Sequence, residues 1–260
     1  MSYNQNEIAR YWDGKAEQLR TDPSATMKDV ILRSLEIEAI GARLNGDDEL
    51  LDVGGGNAFA ALQWAEVCKS VKVVDFSEKM VEFGTEAILA SGRDNVQTEV
   101  ASVLDLRPYA GRYSAVSCVR CLINLTSETD QFAAIDQLTA ALRPGGRLLL
   151  IEGLEETFTA MNEARKKAQL PEIQLDWHNR LLSQSRLEAK LAECLTIDER
   201  VDFGEYYFLT RIVHPLLVAP QEPAFEGRCN LVAKNVWRSG LARGLFASMS
   251  TLMLYVCSKI

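Results

Sequence analysis

The sequence predicts an α/β chain built on a mostly parallel sheet with helices on both faces, and two observations carry that expectation. Between residues 49 and 151, short apolar strands alternate with helical segments, an order that buries a parallel sheet between two helical layers. Within it, Leu50-Leu51-Asp52-Val53-Gly54-Gly55-Gly56-Asn57-Ala58-Phe59 reads as buried strand, glycine turn and helix start. Val73-Val74-Asp75-Phe76-Ser77 then reads as a second buried strand ending on a carboxylate.

The elements follow in order. Residues 1 to 22 are polar with Tyr11 and Trp12 embedded, and Pro23 opens a helical stretch with Met27, Ile31, Leu35 and Ala39 spaced by four. The first strand spans Glu49 to Val53, and its helix starts near Asn57 with Phe59, Leu62, Ala65 and Val67. The second strand, Val71 to Asp75, leads into a helix with Ser77 as N-cap and Phe76 and Val81 as a hydrophobic staple. Strands three and four cover Val96 to Val100 and Tyr113 to Val119. A helix from Ser127 to Leu142 carries Phe132, Ile135 and Leu138 on one face, and Arg143-Pro144-Gly145-Gly146 turns it into strand five, which runs to Glu152. Residues 154 to 194 look helical, with Ser185 and Glu188 spaced as a capping box. Leu195 to Phe203 reads as a sixth strand and Thr251 to Ser258, with alternating Leu252, Leu254 and Val256, as a seventh. The gap between these two is about forty-five residues, far more than a hairpin needs, so Gly204 to Gly244 is expected to be a functional insertion.

The strand–turn–helix order describes a pocket for an adenosine-bearing cofactor, and the residues around the glycines separate the possibilities. A dinucleotide site has Gly-x-Gly-x-x-Gly, yet the sixth position here is Phe59. Asp52 sets a negative charge at the strand end, which repels pyrophosphate and favours a cationic ammonium or sulfonium. Asp52-x-Gly54-x-Gly56, with Asp75 ending the next strand, resembles the cofactor motif of class I S-adenosylmethionine-dependent methyltransferases. The resemblance extends over residues 48 to 152: Val100 to Leu106 lies at the adenine position, Tyr113 to Val119 at the fourth strand, and Leu142 to Glu152 at the turn and fifth strand. Ala58 stands where the family has a third glycine, and Ser102 where it usually has Asp.

The resemblance implies a Rossmann-like class I methyltransferase fold with a seven-stranded sheet, and S-adenosyl-L-methionine as cofactor. It implies that Asp52 and the Gly54-Gly55-Gly56 turn hold the methionine end, Asp75 the ribose, Phe76 and Met80 the adenine face, and Ser102 with Val103 the adenine edge. Arg120, at the exit of the fourth strand, is counted with them. It further implies a division into an N-terminal helical lid (1–44), a cofactor-binding core (45–153), a helical segment with the sixth strand (154–203), a substrate cap inserted between strands six and seven (204–244) and a C-terminal strand (245–260). In the lid, Tyr11, Trp12 and Lys15 would face the cofactor.

Composition limits the partners. With 28 Lys and Arg against 36 Asp and Glu, the formal net charge is −8, leaving no surplus of cations to neutralise nucleic-acid phosphates. Arg165-Lys166-Lys167 is a short basic cluster that reads as a solvated helix face. The polar start, Met1 to Glu7, lacks the features of a signal peptide, and no apolar run reaches membrane-spanning length, so a cytoplasmic chain is expected. The six cysteines are scattered; Cys118 and Cys121 form Cys-x-x-Cys without a second pair and read as core thiols, so no metal site is expected. The expected partner is a small molecule, with neither nucleic acid nor membrane, and the chain is expected to act as a monomer or homodimer.

Methyl transfer draws its leaving group from the cofactor, so alignment matters most. Orientation contributes roughly 7–11 kcal/mol and a general base about 10²–10⁴-fold. A hydroxyl acceptor needs its proton removed, and histidine suits that task. The chain has two, His178 in Trp177-His178-Asn179 and His214 within the insertion. Glu152, ending strand five, is a third candidate for the catalytic machinery. Trp177, Asn179, Tyr11, Trp12, Tyr206, Tyr207 and Arg211 are candidate acceptor contacts, aromatic faces with one fixed cation. The sequence after strand four, Arg120-Cys121-Leu122-Ile123-Asn124-Leu125, lacks the Asn or Asp, two prolines and aromatic of relatives that methylate nucleic-acid bases. The reading is methyl transfer to a small molecule, foremost to a hydroxyl oxygen of a sugar or secondary metabolite. The alternatives are an amine or carboxylate acceptor, or cofactor binding without catalysis.

Overall fold

The computed structural model describes residues 5–260; residues 1–4 of the expected lid lie outside that range. Seven strands, β1 (Glu49–Val53), β2 (Ser70–Asp75), β3 (Val96–Val100), β4 (Tyr113–Val119), β5 (Leu142–Gly153), β6 (Leu195–Asp202) and β7 (Leu252–Lys259), form one sheet in the order β3-β2-β1-β4-β5-β7-β6. β1 to β5 pair in parallel, and β7 runs antiparallel between β5 and β6. β1 therefore has β2 on one side and β4 on the other, and the chain direction of winding reverses there. The crevice at the carboxyl ends of β1 and β4 is where such sheets bind ligands.

Because successive strand residues point to opposite faces, each strand feeds two cores. Leu50, Val71, Val73, Ala115 and Leu149 join one core, and Leu51, Val74, Val116, Leu148 and Leu150 the other. Helices α1 (Gln5–Leu19), α2 (Val30–Gly41), α3 (Phe59–Trp64), α4 (Glu78–Ser91), α5 (Glu128–Ala141), α6 (Glu155–Lys167) and α7 (Gln184–Leu191) accompany the sheet. The insertion adds α8 (Gly204–Phe208), a π-helical turn (Leu209–Val213), α9 (His214–Val218) and α10 (Arg228–Ser239). Ser77 caps α4 by accepting from the Met80 amide at 3.1 Å, and Ser127 caps α5 by accepting from Asp130 at 3.0 Å, as their sequence positions predict.

Four local expectations need correction. The helix after β1 begins at Phe59, because Ala58 is left-handed (φ 60°) and the Asn57 amide turns away to donate to the Arg20 and Asp22 carbonyls. Pro23 opens a 3-10 turn, Pro23–Ala25; α2 starts later, where Asp29 accepts from the Leu32 amide. Residues 168–183 between α6 and α7 are irregular, joined to the sheet by a bridge between Leu154 and Leu182. The cap of α7 lies at Ser183, where the Gln184 amide donates to Glu156, and Glu188 pairs with Arg200 instead of closing a capping box with Ser185.

The insertion leaves and rejoins the sheet through a stitched neck. The Phe203 amide donates to Ser250 Oγ at 2.7 Å, Trp237 Nε1 donates to the Asp202 carbonyl at 2.8 Å, and Gly204 lies so close to the Phe246 backbone that a Cβ would overlap it. Phe208 stacks on Phe246 at 4.0 Å. Beyond the neck the insertion docks on α2: Tyr206 OH and Arg211 both donate to Asp29 at 2.7 Å, and Lys234 donates to Ser34.

Candidate active site

The glycine turn after β1 is shaped by its neighbours. Gly54 has φ 71°, and a Cβ there would stand 2.7 Å from Cys121 Sγ; a Cβ on Gly55 would overlap the Asp52 carboxylate and Val73. Asp52 is 2 % exposed. Its Oδ1 accepts from Ser117 Oγ at 2.8 Å, while its Oδ2 has no partner among the described residues. Burial, reinforced by the nearby Asp75, pushes its acid constant up to about 7 against the pull of Ser117 and Arg33. Asp75 accepts from the Gly56 amide at 2.9 Å and the Ser77 amide at 2.9 Å, which ties the turn to the start of α4. Burial raises it to about 6, with those amides opposing and Asp13 adding to the rise. Each oxygen of Asp75 keeps acceptor capacity beyond its one amide.

These groups open into a cavity of about 420 Å³. Asp52, Gly54, Gly55, Gly56, Asp75, Phe76, Met80, Ser102, Val103 and Arg120 all line it. Two residues on α2 that the sequence reading passed over also line it. Arg33 is 5 % exposed, and burial beside Arg120 lowers it to about 10; Glu36 is buried and pairs with Arg120 at 3.1 Å. Their signal was available: in Val30-Ile31-Leu32-Arg33-Ser34-Leu35-Glu36-Ile37 the helix is apolar on nearly every side, so its charges could not all be on a solvated face.

α1 and the segment after α6 also contribute to the cavity. Tyr11, Trp12 and Lys15 line it from α1, and His178 and Asn179 from the irregular segment. Trp12 Nε1 donates to Asn124 Oδ1 at 3.2 Å, and Asp13 accepts from Ser77 Oγ at 2.6 Å, which fixes α1 across the cleft. His178 is enclosed by Tyr11, Trp12 and Trp177, with ring centroids 4.4, 5.7 and 5.3 Å away. It is 8 % exposed, its Nδ1 has no hydrogen-bond partner among the described residues, and burial lowers its proton affinity despite nearby Asp176. The segment is held to the loop after β4, since the Arg180 amide donates to the Ile123 carbonyl at 2.6 Å.

Several candidates lie elsewhere. Glu152 does not line the cavity: wholly buried, it accepts from the amides of Cys121, Leu122 and Ile123 at 2.9, 2.7 and 3.3 Å and so shapes the loop that forms the cavity wall. Burial lifts it to about 8 against those three bonds. Tyr206 and Tyr207 are packed in the core, because Tyr206 OH is spent on Asp29 and Asn230. His214 is buried beside Gly227 and away from the cavity. Of the insertion, Arg211 and Phe225 reach the cavity, with Arg211 already paired to Asp29. Trp177 lines a neighbouring recess. Cys118 is buried in the core and Cys121 half-buried on the cavity wall, both as free thiols, and no cluster of His, Cys, Asp and Glu able to hold a metal occurs among the described residues. Among these residues no helix is long and apolar enough to cross a membrane.

The donor set fits S-adenosyl-L-methionine: an unpartnered buried carboxylate oxygen on Asp52 for an ammonium, the Arg33 guanidinium for a carboxylate, Asp75 for ribose hydroxyls, and Phe76 and Met80 for a planar base. Comparison with known proteins agrees. Residues 50–146 match the model of a methyltransferase domain family. The chain is 31% identical over 194 residues to a 27-O-demethylrifamycin SV methyltransferase of Amycolatopsis mediterranei (strain S699), covering 70% of this chain and 66% of that protein. It is 28% identical over 108 residues to the ubiquinone/menaquinone biosynthesis C-methyltransferase UbiE of Francisella philomiragia subsp. philomiragia, covering 40% of this chain and 42% of that one. The chain thus spans two thirds or less of the length of these relatives. The solved geranyl diphosphate C-methyltransferase of Streptomyces coelicolor A3(2), in complex with Mg2+, geranyl diphosphate and S-adenosyl-L-homocysteine, superposes with TM-score 0.61 at 16% identity, covering 98% of each chain. With the motif, the sheet order and the pocket in agreement, the chain belongs to the class I S-adenosylmethionine-dependent methyltransferases, and S-adenosyl-L-methionine is its cofactor.

Proposed function

We propose that the protein is an enzyme that transfers a methyl group from S-adenosyl-L-methionine to a hydroxyl oxygen of a small molecule. One observation carries the reading: a single cavity is lined both by Asp52, the glycine turn and Asp75 and by the aromatic residues of α1 and His178. The relative of A. mediterranei, whose name places its methyl on oxygen, supports the choice of atom.

The cofactor supplies an electrophilic methyl on a cationic sulfur. Asp52 and Arg33 orient its charged end, Asp75 its ribose, and Phe76, Met80, Ser102 and Val103 its base; Arg120 with Glu36 closes that side. The lid, with Tyr11, Trp12 and Lys15, excludes water and confines the acceptor. With an acceptor in place, His178 Nδ1 would take the hydroxyl proton, a role open to a neutral imidazole with a vacant nitrogen. Arg211 and Phe225 contribute the insertion's part of the acceptor wall, and Asn179 offers a polar contact beside the base.

The test is incubation of small-molecule extracts with the protein and isotope-labelled methyl donor, followed by mass spectrometry. A new labelled product carrying an O-methyl is expected, and His178→Ala should lower kcat about 10²–10⁴-fold with donor affinity preserved. Full turnover in that variant would favour a carboxylate acceptor, which needs no base. Tight donor binding with no product in any extract would favour a binding protein.

A further inference from the structure

Next to the cofactor cavity lies a second recess of about 430 Å³, and the two share Leu125, His178 and Asn179 as a common wall. Its remaining sides come from Ile8 on α1, Leu175, Trp177 and Leu181. Glu155, Thr126 and Arg180 are exposed residues of its lining, while Leu125 and His178 are buried. Leu175 and Trp177 nevertheless leave 41% and 43% of their surfaces exposed beside it, apolar area of the kind that marks a ligand groove. Ile8, Leu125, Leu175, Trp177 and Leu181 give the recess an apolar side with one aromatic face, suited to the body of a ring, while Thr126, Glu155, Asn179 and Arg180 leave its other side polar.

His178 stands at the junction of the two spaces, caged by three aromatic rings, with its Nδ1 unpartnered. Lys15 Nζ lies 5.7 Å from the centroid of the Tyr11 ring that stacks on this histidine, so a cation is near any oxyanion formed here. A neutral imidazole removes a proton more readily the smaller the gap between the hydroxyl's acidity and its own, and that gap is far smaller for a phenol or enol than for an alkyl alcohol. The burial that weakens His178 as a base widens that gap.

We propose that the recess beyond His178 binds the body of the acceptor, and that the acceptor is an apolar, ring-bearing phenol or enol rather than a sugar or an alkyl alcohol. This rests on the methyl-transfer reading above. The hydroxyl proton passes to His178 Nδ1, the oxygen–methyl bond forms, and the carbon–sulfur bond breaks with its electron pair staying on sulfur, which leaves S-adenosylhomocysteine.

The test uses the full chain and three probes: 2-naphthol, 2-decalol as an alkyl alcohol of similar size, and methyl glucoside. With S-adenosylhomocysteine bound, 2-naphthol should quench tryptophan fluorescence saturably, and with labelled donor it should gain a methyl at least 100-fold faster than the other two. Thr126→Trp, which fills the recess from an exposed position, and Leu175→Glu, which charges its wall, should each weaken naphthol binding at least tenfold while S-adenosylhomocysteine affinity stays within twofold. Equal methylation of decalol or the glucoside, no saturable naphthol binding, or naphthol binding unchanged in both variants would overturn the proposal. Loss of S-adenosylhomocysteine binding by the unaltered protein would instead overturn the methyl-transfer reading itself.

Discussion

Asp52 is a residue kept at a cost to the empty protein. Its acid constant is raised to about 7, that of Asp75 to about 6 and that of Glu152 to about 8. A carboxyl raised on folding contributes stability that is complete below its unfolded value near 4 and is lost as pH climbs through its folded value. Ligand-free protein should therefore lose stability between pH 5 and 8. A cationic donor reverses the trend by favouring the ionised form of Asp52, so donor affinity should rise from pH 5 to 7.5 with proton release, measurable by calorimetry in two buffers of unlike ionisation heat. Asp52→Asn should raise the ligand-free Tm at pH 8 and weaken donor binding about 10–100-fold, about 1.4–2.7 kcal/mol. Unchanged donor affinity in that variant would remove Asp52 from the site. Asp52 and Asp75 were legible in the sequence because a strand end beside glycines leaves a carboxylate few places to point. Arg33 and Glu36 were passed over although the apolar residues all around α2 left their charges no fully solvated face. Glu152 was placed correctly on β5 but not among the cavity's lining, because its carboxylate is taken by three amides of a loop whose path depends on long-range packing.

At the level of elements, α1 is held by a few polar contacts rather than a large core of its own. Asp13 accepts from Ser77 Oγ and from the Lys79 amide at 3.4 Å, so α1 adds a carboxylate to the N-terminus of α4, where the helix dipole favours it. The Arg20–Glu86 pair is exposed and contributes little. Asp13→Ala should loosen α1, giving faster proteolysis within residues 5–19 and donor binding weakened about 3–10-fold, with the sheet unchanged by circular dichroism. Equal proteolysis with and without the substitution would show that Trp12 and Asn57 hold the lid alone. The strands β1, β3 and β4 match their sequence boundaries, since apolar runs between turn residues mark them. The irregular stretch 168–183, which carries His178, was read as helical. Its backbone is fixed by partners distant in sequence, Ile123, Gly153 and Gln131, which local periodicity cannot reveal.

For the whole molecule, the proposed donor site draws on β1, β2, β4 and α2, elements that together feed both cores, so binding and global folding should be linked. S-adenosylhomocysteine at a hundred times its Kd should stabilise the native state by about 2.7 kcal/mol, raising Tm by about 5–10 °C. A shift confined to lid proteolysis, with Tm unmoved, would place the site on α1 alone. The mostly parallel seven-stranded sheet was foreseen from the alternation of elements and from the resemblance; its strand order was not part of that expectation. The destination of the insertion was not, because Tyr206 and Tyr207 read as wall aromatics until the Asp29 partnership drew them into the core.

The neck at Phe203, Gly204, Ser250 and Phe246 brings the two ends of about fifty residues to nearly one point, so the sheet registers little of what happens between them. Such a hinge-free junction permits the lobe to be lengthened, shortened or exchanged as a module, provided the anchors to Asp29 are retained. Such an exchange alters the Arg211 and Phe225 side of the cavity alone, and leaves the glycine turn and both strand-end carboxylates as they were.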